Sequence, residues 1–103
     1  MPETWRDALT DNLCDAFAGL STREEVFAFL EDVASINEIK SMAQRLEVAR
    51  LLGEGKKYPE VVRLTGASTA TISRVKKCLD YGAGGYKSVL NHSEHDKISQ
   101  SNS

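Results

Sequence analysis

Cysteine is scarce in this chain. Only Cys14 and Cys78 occur among its 103 residues, far apart and without a CxxC pair. Such spacing excludes a disulfide framework and a zinc site built on paired cysteines. We therefore expect two reduced thiols that pack as small hydrophobic side chains.

Long hydrophobic runs are missing as well. No apolar stretch approaches the roughly 18 residues that a membrane-spanning helix needs. The first residues, MPETWRDAL, are polar and acidic and lack the layout of a signal peptide. These absences predict a cytoplasmic protein without a membrane partner, and the length suits one small domain.

Catalytic arrangements are also lacking. No Ser/His/Asp or Cys/His set falls on a credible scaffold, and the acidic pairs lie on solvated faces of predicted helices. The segment GAGGYKS departs from the phosphate-binding loop pattern, since Tyr86 separates Gly85 from Lys87 and no strand precedes it. Helix termination accounts better for these glycines. We expect that the protein is not an enzyme.

Charges of both signs are present but segregated. Residues 1–44 carry three basic and nine acidic side chains, whereas residues 45–87 carry nine basic and four acidic ones. The net charge of −2 argues weakly against a nucleic-acid binder. The segregation instead suggests an acidic scaffold with a basic working end, and chance clustering on a solvated surface is the alternative.

Apolar residues recur at spacings of three and four, which predicts helices along most of the chain. Ser21 or Thr22 is placed to cap the second helix, with a glutamate three residues later. The expected inner faces are Trp5, Leu9, Leu13, Ala16, Phe17 and Leu20, then Val26, Phe27, Leu30 and Val33, then Ile36, Ile39, Met42, Ala43, Leu46 and Ala49. The predicted fold class is all-α, with five or six helices.

The helical pattern gives way to a polar tail. We predict a single domain over residues 1–90 and a disordered tail over residues 91–103, which has almost no apolar content. His92, His95 and Asp96 lie near one another in this tail. Disorder is favoured there over a metal site, because nothing holds the three side chains in a fixed geometry.

The segment LTGASTATISRVKKCL, residues 64–79, is ambiguous by composition. STATIS alternates and is rich in Thr and Ile, as strands are. A single strand cannot form a sheet, however, and its neighbours are helical. We interpret residues 58–80 as a helix-turn-helix, with Gly66 in the turn and Ser68 as the cap of the second helix. The expected apolar residues at its elbow are Val61, Val62, Ala67, Ile72, Val75 and Leu79.

The second helix has a polar outer face. At 100° per residue, its small residues lie outward near the start and its basic residues follow. A helix of this kind fits the DNA major groove. The predicted DNA-binding residues are Lys56, Lys57, Ser68, Thr69, Ala70, Thr71, Ser73, Arg74 and Lys77. An ordinary helical hairpin with a solvated basic face is the alternative.

Residues 66–74, GASTATISR, resemble the DNA-reading segment of the Trp repressor family, whose motif runs Gly-Ala-x-x-Ala-Thr-Ile-Thr/Ser-Arg. Seven positions match, namely Gly66, Ala67, Ala70, Thr71, Ile72, Ser73 and Arg74. The preceding EVARLLGEGKKYPEV is similar to the helix and turn before that motif. The resemblance implies an all-helical, intertwined homodimer that binds operator DNA through two symmetric helix-turn-helix units.

The resemblance also implies an effector pocket, at Gln44, Arg45, Arg74, Val75 and Cys78. Tryptophan-binding members of the family have an arginine that Arg74 matches. They have a glycine where this chain has Val75, a serine at Cys78 and an arginine at Gln44. Because Val75 would fill the space of the indole ring, we expect no tryptophan cofactor, and an effector that is unknown or absent.

These patterns together predict a sequence-specific transcriptional regulator that binds double-stranded DNA, and we expect that it represses transcription. The rival hypothesis is a helical adaptor whose basic face binds an acidic protein instead of DNA.

Overall fold

The computed structural model describes residues 5–91, and every regular element within that range is an α-helix. The predicted all-α fold is therefore confirmed. The helices are α1 (Ala8–Ala18), α2 (Arg23–Val33), α3 (Ile36–Gly53), α4 (Tyr58–Thr65), α5 (Thr69–Tyr81) and α6 (residues 85–91). None of the described helices is long and apolar enough to cross a membrane.

The polar tail falls mostly beyond this range. Asn91 belongs to α6 rather than to a disordered tail. The rest of the tail, with its histidine cluster, lies outside the described residues. Between residues 5 and 91, no group of three or more His, Cys, Asp or Glu side chains is arranged to hold a metal ion.

Polar side chains set the starts of the first two helices. At α1, the Asp7 side chain accepts from the backbone N–H of Thr10 at 2.9 Å, and the Thr10 hydroxyl accepts from the N–H of Asp7 at 2.8 Å. At α2, Thr22 and Glu25 form the same reciprocal capping box. The choice between Ser21 and Thr22 is thereby settled for Thr22. The N–H groups of Ser21 and Thr22 also hold the pKa of Glu25 below its usual value of 4.5.

The chain divides into two compact units, residues 1–39 and residues 40–103. The predicted single domain over residues 1–90 stays a prediction. In the described part of the first unit, no side chain is fully buried. It contains an edge-to-face pair of Phe17 and Phe29, with ring centroids 5.0 Å apart. Phe29 is absent from the predicted inner face of α2.

The predicted inner faces of α1 and α2 are largely uncovered in the single chain. Leu9 is 78% exposed and Trp5 64% exposed, next to the half-covered Phe17. The expected burial of Phe27 and Val33 is wrong for the single chain, since both are more than half exposed. Two short helices leave more apolar surface than they can cover on each other.

The second unit has a compact hydrophobic core. It is formed by Val48, Ala49 and Leu51 of α3, Val61 of α4, Ala67 of the turn, and Ile72 and Val75 of α5. Of the predicted inner face of α3, only Ala49 is fully buried, and Met42 and Leu46 are exposed. Because α3 carries apolar residues on more than one side, periodicity alone does not decide which side faces the core.

The end of α3 directs the chain into the helix-turn-helix. Gly55 is left-handed, with φ of +88°. Its N–H donates to the carbonyl of Leu52 at 3.0 Å, and the N–H of Lys56 donates to the carbonyl of Leu51 at 3.1 Å. This pair of bonds is the Schellman arrangement, which ends a helix sharply at a glycine. The basic residues Lys56 and Lys57 follow at once, just before α4.

Candidate nucleic-acid interface

Helices α4 and α5 and the turn between them form a helix-turn-helix, residues 58–81, which we call the reading head. Helix α4 ends at Gly66, whose φ of +73° is left-handed, as a glycine in this turn is predicted to be. The N–H of Gly66 donates to the carbonyl of Val62 at 2.8 Å. Ser68 caps α5 and accepts from the N–H of Thr71 at 3.1 Å. Both sequence-predicted turn residues thus have their expected conformations.

Thr65 also fastens the turn. Its hydroxyl donates to the carbonyl of Val61 at 2.7 Å and accepts from the N–H of Ala67 at 3.1 Å. Thr65 is not among the residues that the sequence predicts for this turn. A threonine just before a glycine at a helix end is the available signal, because its short side chain can bond to neighbouring backbone groups.

The underside of α5 is apolar and buried. Ile72 and Val75 are buried and pack in one cluster with Val61 and Ala67. Leu79 and Val62 lie partly buried against that cluster, as the elbow prediction requires. The underside fixes the rotation of α5 about its own axis, and therefore which residues face outward.

Most of the predicted DNA-binding residues lie on the outer side of the reading head or, as Lys56 and Lys57 do, just before it. The exposed ones are Lys56, Lys57, Ser68, Thr69, Ala70, Ser73, Arg74 and Lys77. Thr71 differs from the rest, because it is half-buried and its hydroxyl lies 3.1 Å from that of Ser68. The first half of the outer face is therefore small and polar, and positive charge follows further along α5.

The cations of this surface differ in their partners. Within residues 5–91, no acidic side chain lies within ion-pair distance of Lys57, Arg74 or Lys77. Lys56, in contrast, lies 3.9 Å from Glu60, and Lys76 lies 3.3 Å from Asp80. Arg74 and Lys77 are thus available for an anionic partner from outside the described chain.

The five residues of the predicted effector pocket are in different environments. Val75 is fully buried, Arg45 is half-buried, and Arg74 and Cys78 are exposed. Gln44 is half-buried, and its Nε2 donates to the backbone carbonyl of Thr65 at 3.2 Å. Cys14 and Cys78 are free thiols, but both are exposed, so the expectation that they pack as small hydrophobic side chains is wrong for the single chain.

A groove of about 380 Å³ lies elsewhere in the second unit, and it contains none of those five residues. Arg50, Lys76 and Lys87 line it together with Leu52, Leu79 and Leu90. Arg50 is held by Glu47 and Glu54, and the hydrogen bonds to Glu47 raise the pKa of its guanidinium above the ordinary value. Since Lys76 pairs with Asp80, most of the positive charge of the groove is already balanced.

The family model of the Trp repressor protein matches residues 8–94, a span that includes α1 through α6. The chain belongs to the Trp repressor family. The match includes the N-terminal helices, in which the sequence shows only a helical pattern of apolar residues.

Three known proteins illustrate the similarity. The uncharacterized protein YerC of Bacillus subtilis is 52% identical over 80 residues, which cover 78% of this chain and 77% of YerC. The crystal structure of a candidate Trp repressor from Staphylococcus aureus is 42% identical, with a TM-score of 0.86 over 89% of this chain and 92% of that one. A TrpR-like protein from Eubacterium eligens is 41% identical, with a TM-score of 0.86 over 90% and 96%.

Proposed function

We propose that the chain is a sequence-specific, DNA-binding transcriptional regulator, with repression as its expected effect. One observation carries the proposal. Helix α5 packs its apolar underside on the core and turns outward a small, polar first half followed by Arg74 and Lys77. Membership of a family of DNA-binding regulators supports the same reading and a regulatory rather than catalytic role.

The outer residues of α5 suit different parts of a DNA duplex. Thr69, Ala70 and Ser73 are short enough to let the helix approach the base edges in the major groove. Arg74 can donate two hydrogen bonds to a guanine, which is the commonest specific contact of this kind. We assign base reading to these four residues.

The remaining predicted residues suit the phosphate backbone. Lys56 and Lys57 precede α4 and Lys77 lies further along α5, where an ammonium group can bind phosphate without reading sequence. Ser68 and Thr71 form the start of α5, and the free N–H groups of a helix start favour a phosphate. These residues would set the register of the reading head on DNA.

We further propose that the protein works as a homodimer. The first unit has no fully buried side chain in its described part, while Trp5, Leu9, Phe27 and Val33 are more than half exposed. An apolar surface of this extent is typical of an interface with another chain. A two-fold symmetric partner would cover it and place two reading heads in successive major grooves, about 34–36 Å apart.

The dimer is tested by placing a charge in the apolar stripe of α1. Leu9→Glu should lower the mass measured by light scattering from that of a dimer to that of a monomer, because a buried unpaired carboxylate is costly. Asp11→Asn, a charge change at an exposed position of the same helix, is the matched control and should leave the dimer intact. A wild-type protein with the mass of a monomer would refute the dimer.

DNA reading is tested with a duplex recovered from random DNA by its affinity for the wild-type protein. Arg74→Ala should cost about 1–3 kcal/mol of discrimination at one base position. Lys77→Ala should weaken binding to all duplexes alike and reduce the slope of log affinity against log salt by about 1. Arg23→Ala removes one positive charge from the acidic first unit, so it should change neither quantity.

The same titration separates the rival function. A helical adaptor for an acidic protein would bind DNA through charge alone, so its affinity would fall with salt and show no preference among sequences. A preference that survives at high salt excludes that reading.

A further inference from the structure

A side chain of α3 holds the turn of the reading head. Gln44 Nε2 donates to the carbonyl oxygen of Thr65 at 3.2 Å, across 21 residues of sequence, and the contact is partly buried. Thr65 is the last residue of α4, so its carbonyl has no partner within the helix. Gln44 therefore satisfies a helix-end carbonyl and ties the turn to α3 in one bond.

The side chain of Thr65 is also held by hydrogen bonds. The Thr65 hydroxyl bonds to the carbonyl of Val61 and to the N–H of Ala67, and the left-handed Gly66 lies between Thr65 and Ala67. The start of α5 follows directly, with Ser68 as its cap. The position of the Thr65 carbonyl thus bears on where the base-reading end of α5 lies.

Val75 restrains α5 nearer the middle of the helix. Its side chain is only 1% exposed and belongs to the same buried cluster as Val48, Val61 and Ile72. A side chain with this burial leaves no room at that position for a small molecule. Gln44 and Val75 are two of the positions at which the family resemblance implies an effector pocket. In this chain the Val75 side chain fills the core, and the Gln44 amide already donates to the carbonyl of Thr65.

We propose that Gln44 and Val75 hold the reading head in its DNA-binding arrangement without any small-molecule effector, so that DNA affinity is constitutive. Gln44 is a positioning residue, because it acts on α5 through Thr65. A ligand can raise affinity only if it stabilises the binding arrangement relative to another one. Here the hydrogen bond from Gln44 to Thr65 and the packing of Val75 already stabilise that arrangement. The inference rests on the proposed DNA-binding function.

The test compares donors at position 44. Gln44→Met has a similar length and no N–H donor, whereas Gln44→Lys restores a donor. Affinities for the selected duplex and for a scrambled duplex are measured by fluorescence anisotropy at one salt concentration. The added lysine charge attracts both duplexes equally, so the ratio of the two affinities is independent of that attraction. Each protein is also measured with L-tryptophan and with a deproteinised cell extract.

We expect the specific-to-scrambled ratio to fall about two- to tenfold in Gln44→Met, the range for loss of one hydrogen bond, and to recover in Gln44→Lys. Amide exchange at Ala67 should quicken in Gln44→Met while exchange in the α3 core stays slow. A purely structural role would instead lower the urea midpoint and leave the ratio of the folded protein unchanged. The wild-type affinity should not respond to tryptophan or to the extract.

Two results would overturn the inference and leave the proposed function standing. One is a Gln44→Met ratio equal to that of the wild type, and the other is a wild-type affinity that rises with tryptophan or extract. A wild-type protein that prefers no sequence would overturn both the inference and the function, so the two failures are distinguishable.

Discussion

Gly66 offers the sharpest test of the turn in the reading head. Its φ of +73° lies in the left-handed region, which costs a residue with a Cβ about 1–2 kcal/mol. A Cβ built at Gly66 would meet no atom within 4 Å, so no clash adds to this cost. Gly66→Ala should therefore lower the free energy of unfolding by about 1–2 kcal/mol.

Gly53 provides a control at which alanine should change the free energy of unfolding in the opposite direction. It is the last residue of α3, has no positive φ, and likewise has no atom within 4 Å of an added Cβ. Gly53→Ala should raise the free energy of unfolding by about 0.5–1 kcal/mol, because alanine loses less backbone entropy in a helix. Gly66→Asn should cost less than Gly66→Ala, since asparagine tolerates the left-handed region.

The assay is urea unfolding followed by circular dichroism at one protein concentration, because the stability of the proposed dimer would depend on concentration. The specific DNA affinity of each variant is measured in parallel. Gly66→Ala should lose affinity, since the turn sets the angle between α4 and α5, and Gly53→Ala should keep it. A Gly66→Ala protein as stable as Gly53→Ala would refute the left-handed turn.

Three further changes probe the polar contacts. Ser68→Ala removes the cap that accepts from Thr71 and should cost about 1 kcal/mol in urea unfolding, whereas Ser68→Asp should keep most of the stability. Thr65→Val should lose both turn hydrogen bonds and weaken specific DNA binding, and Thr65→Ser should retain them, as an anisotropy titration would show. The lowered pKa of Glu25 means that its charge stabilises the fold above the unfolded value near 4.5, and that this contribution is lost as pH falls through the folded pKa. Unfolding of Glu25→Gln should accordingly be less dependent on pH in that acid range than unfolding of the wild type.

Local chemistry made much of the fold predictable. The turn at Gly66 and the cap at Ser68 each follow from residues within a few positions of one another. The capping box of α2 follows in the same way, although the sequence leaves Ser21 and Thr22 open as the cap and the structure decides for Thr22. The buried underside of α5 also follows from spacing, once Ile72 and Val75 are placed on one side of a helix. These features depend on short-range geometry, which the sequence encodes directly.

Contacts between distant residues were not predictable in the same way. The bond from Gln44 to Thr65 joins positions 21 residues apart, and nothing local marks either residue as its partner. The pairing of Phe17 with Phe29 is similar, because it joins two helices. The predicted inner face of α3 includes Ala49, which is buried, but also Met42 and Leu46, which are exposed in the single chain. A helix with several apolar sides does not reveal which side is buried until its neighbours are placed.

The charge distribution reconciles a net charge of −2 with the proposed DNA binding. The acidic side chains are concentrated in residues 1–44 and the basic ones in residues 45–87. Within residues 5–91, Arg74 and Lys77 lie on the outer side of α5 without an acidic neighbour at ion-pair distance. Since exposed charges beyond roughly 10 Å are largely screened at 0.1 M salt, the local surface decides the attraction to phosphate.

Selection of bound sequences from random duplex DNA tests the central claim most directly. The purified protein, without added small molecules, should enrich a motif with two-fold symmetry whose half-sites are about one helical turn apart. Arg74→Ala should enrich a weaker motif from the same pool. Recovery of no motif by the wild-type protein, over a range of salt concentrations, would contradict the account.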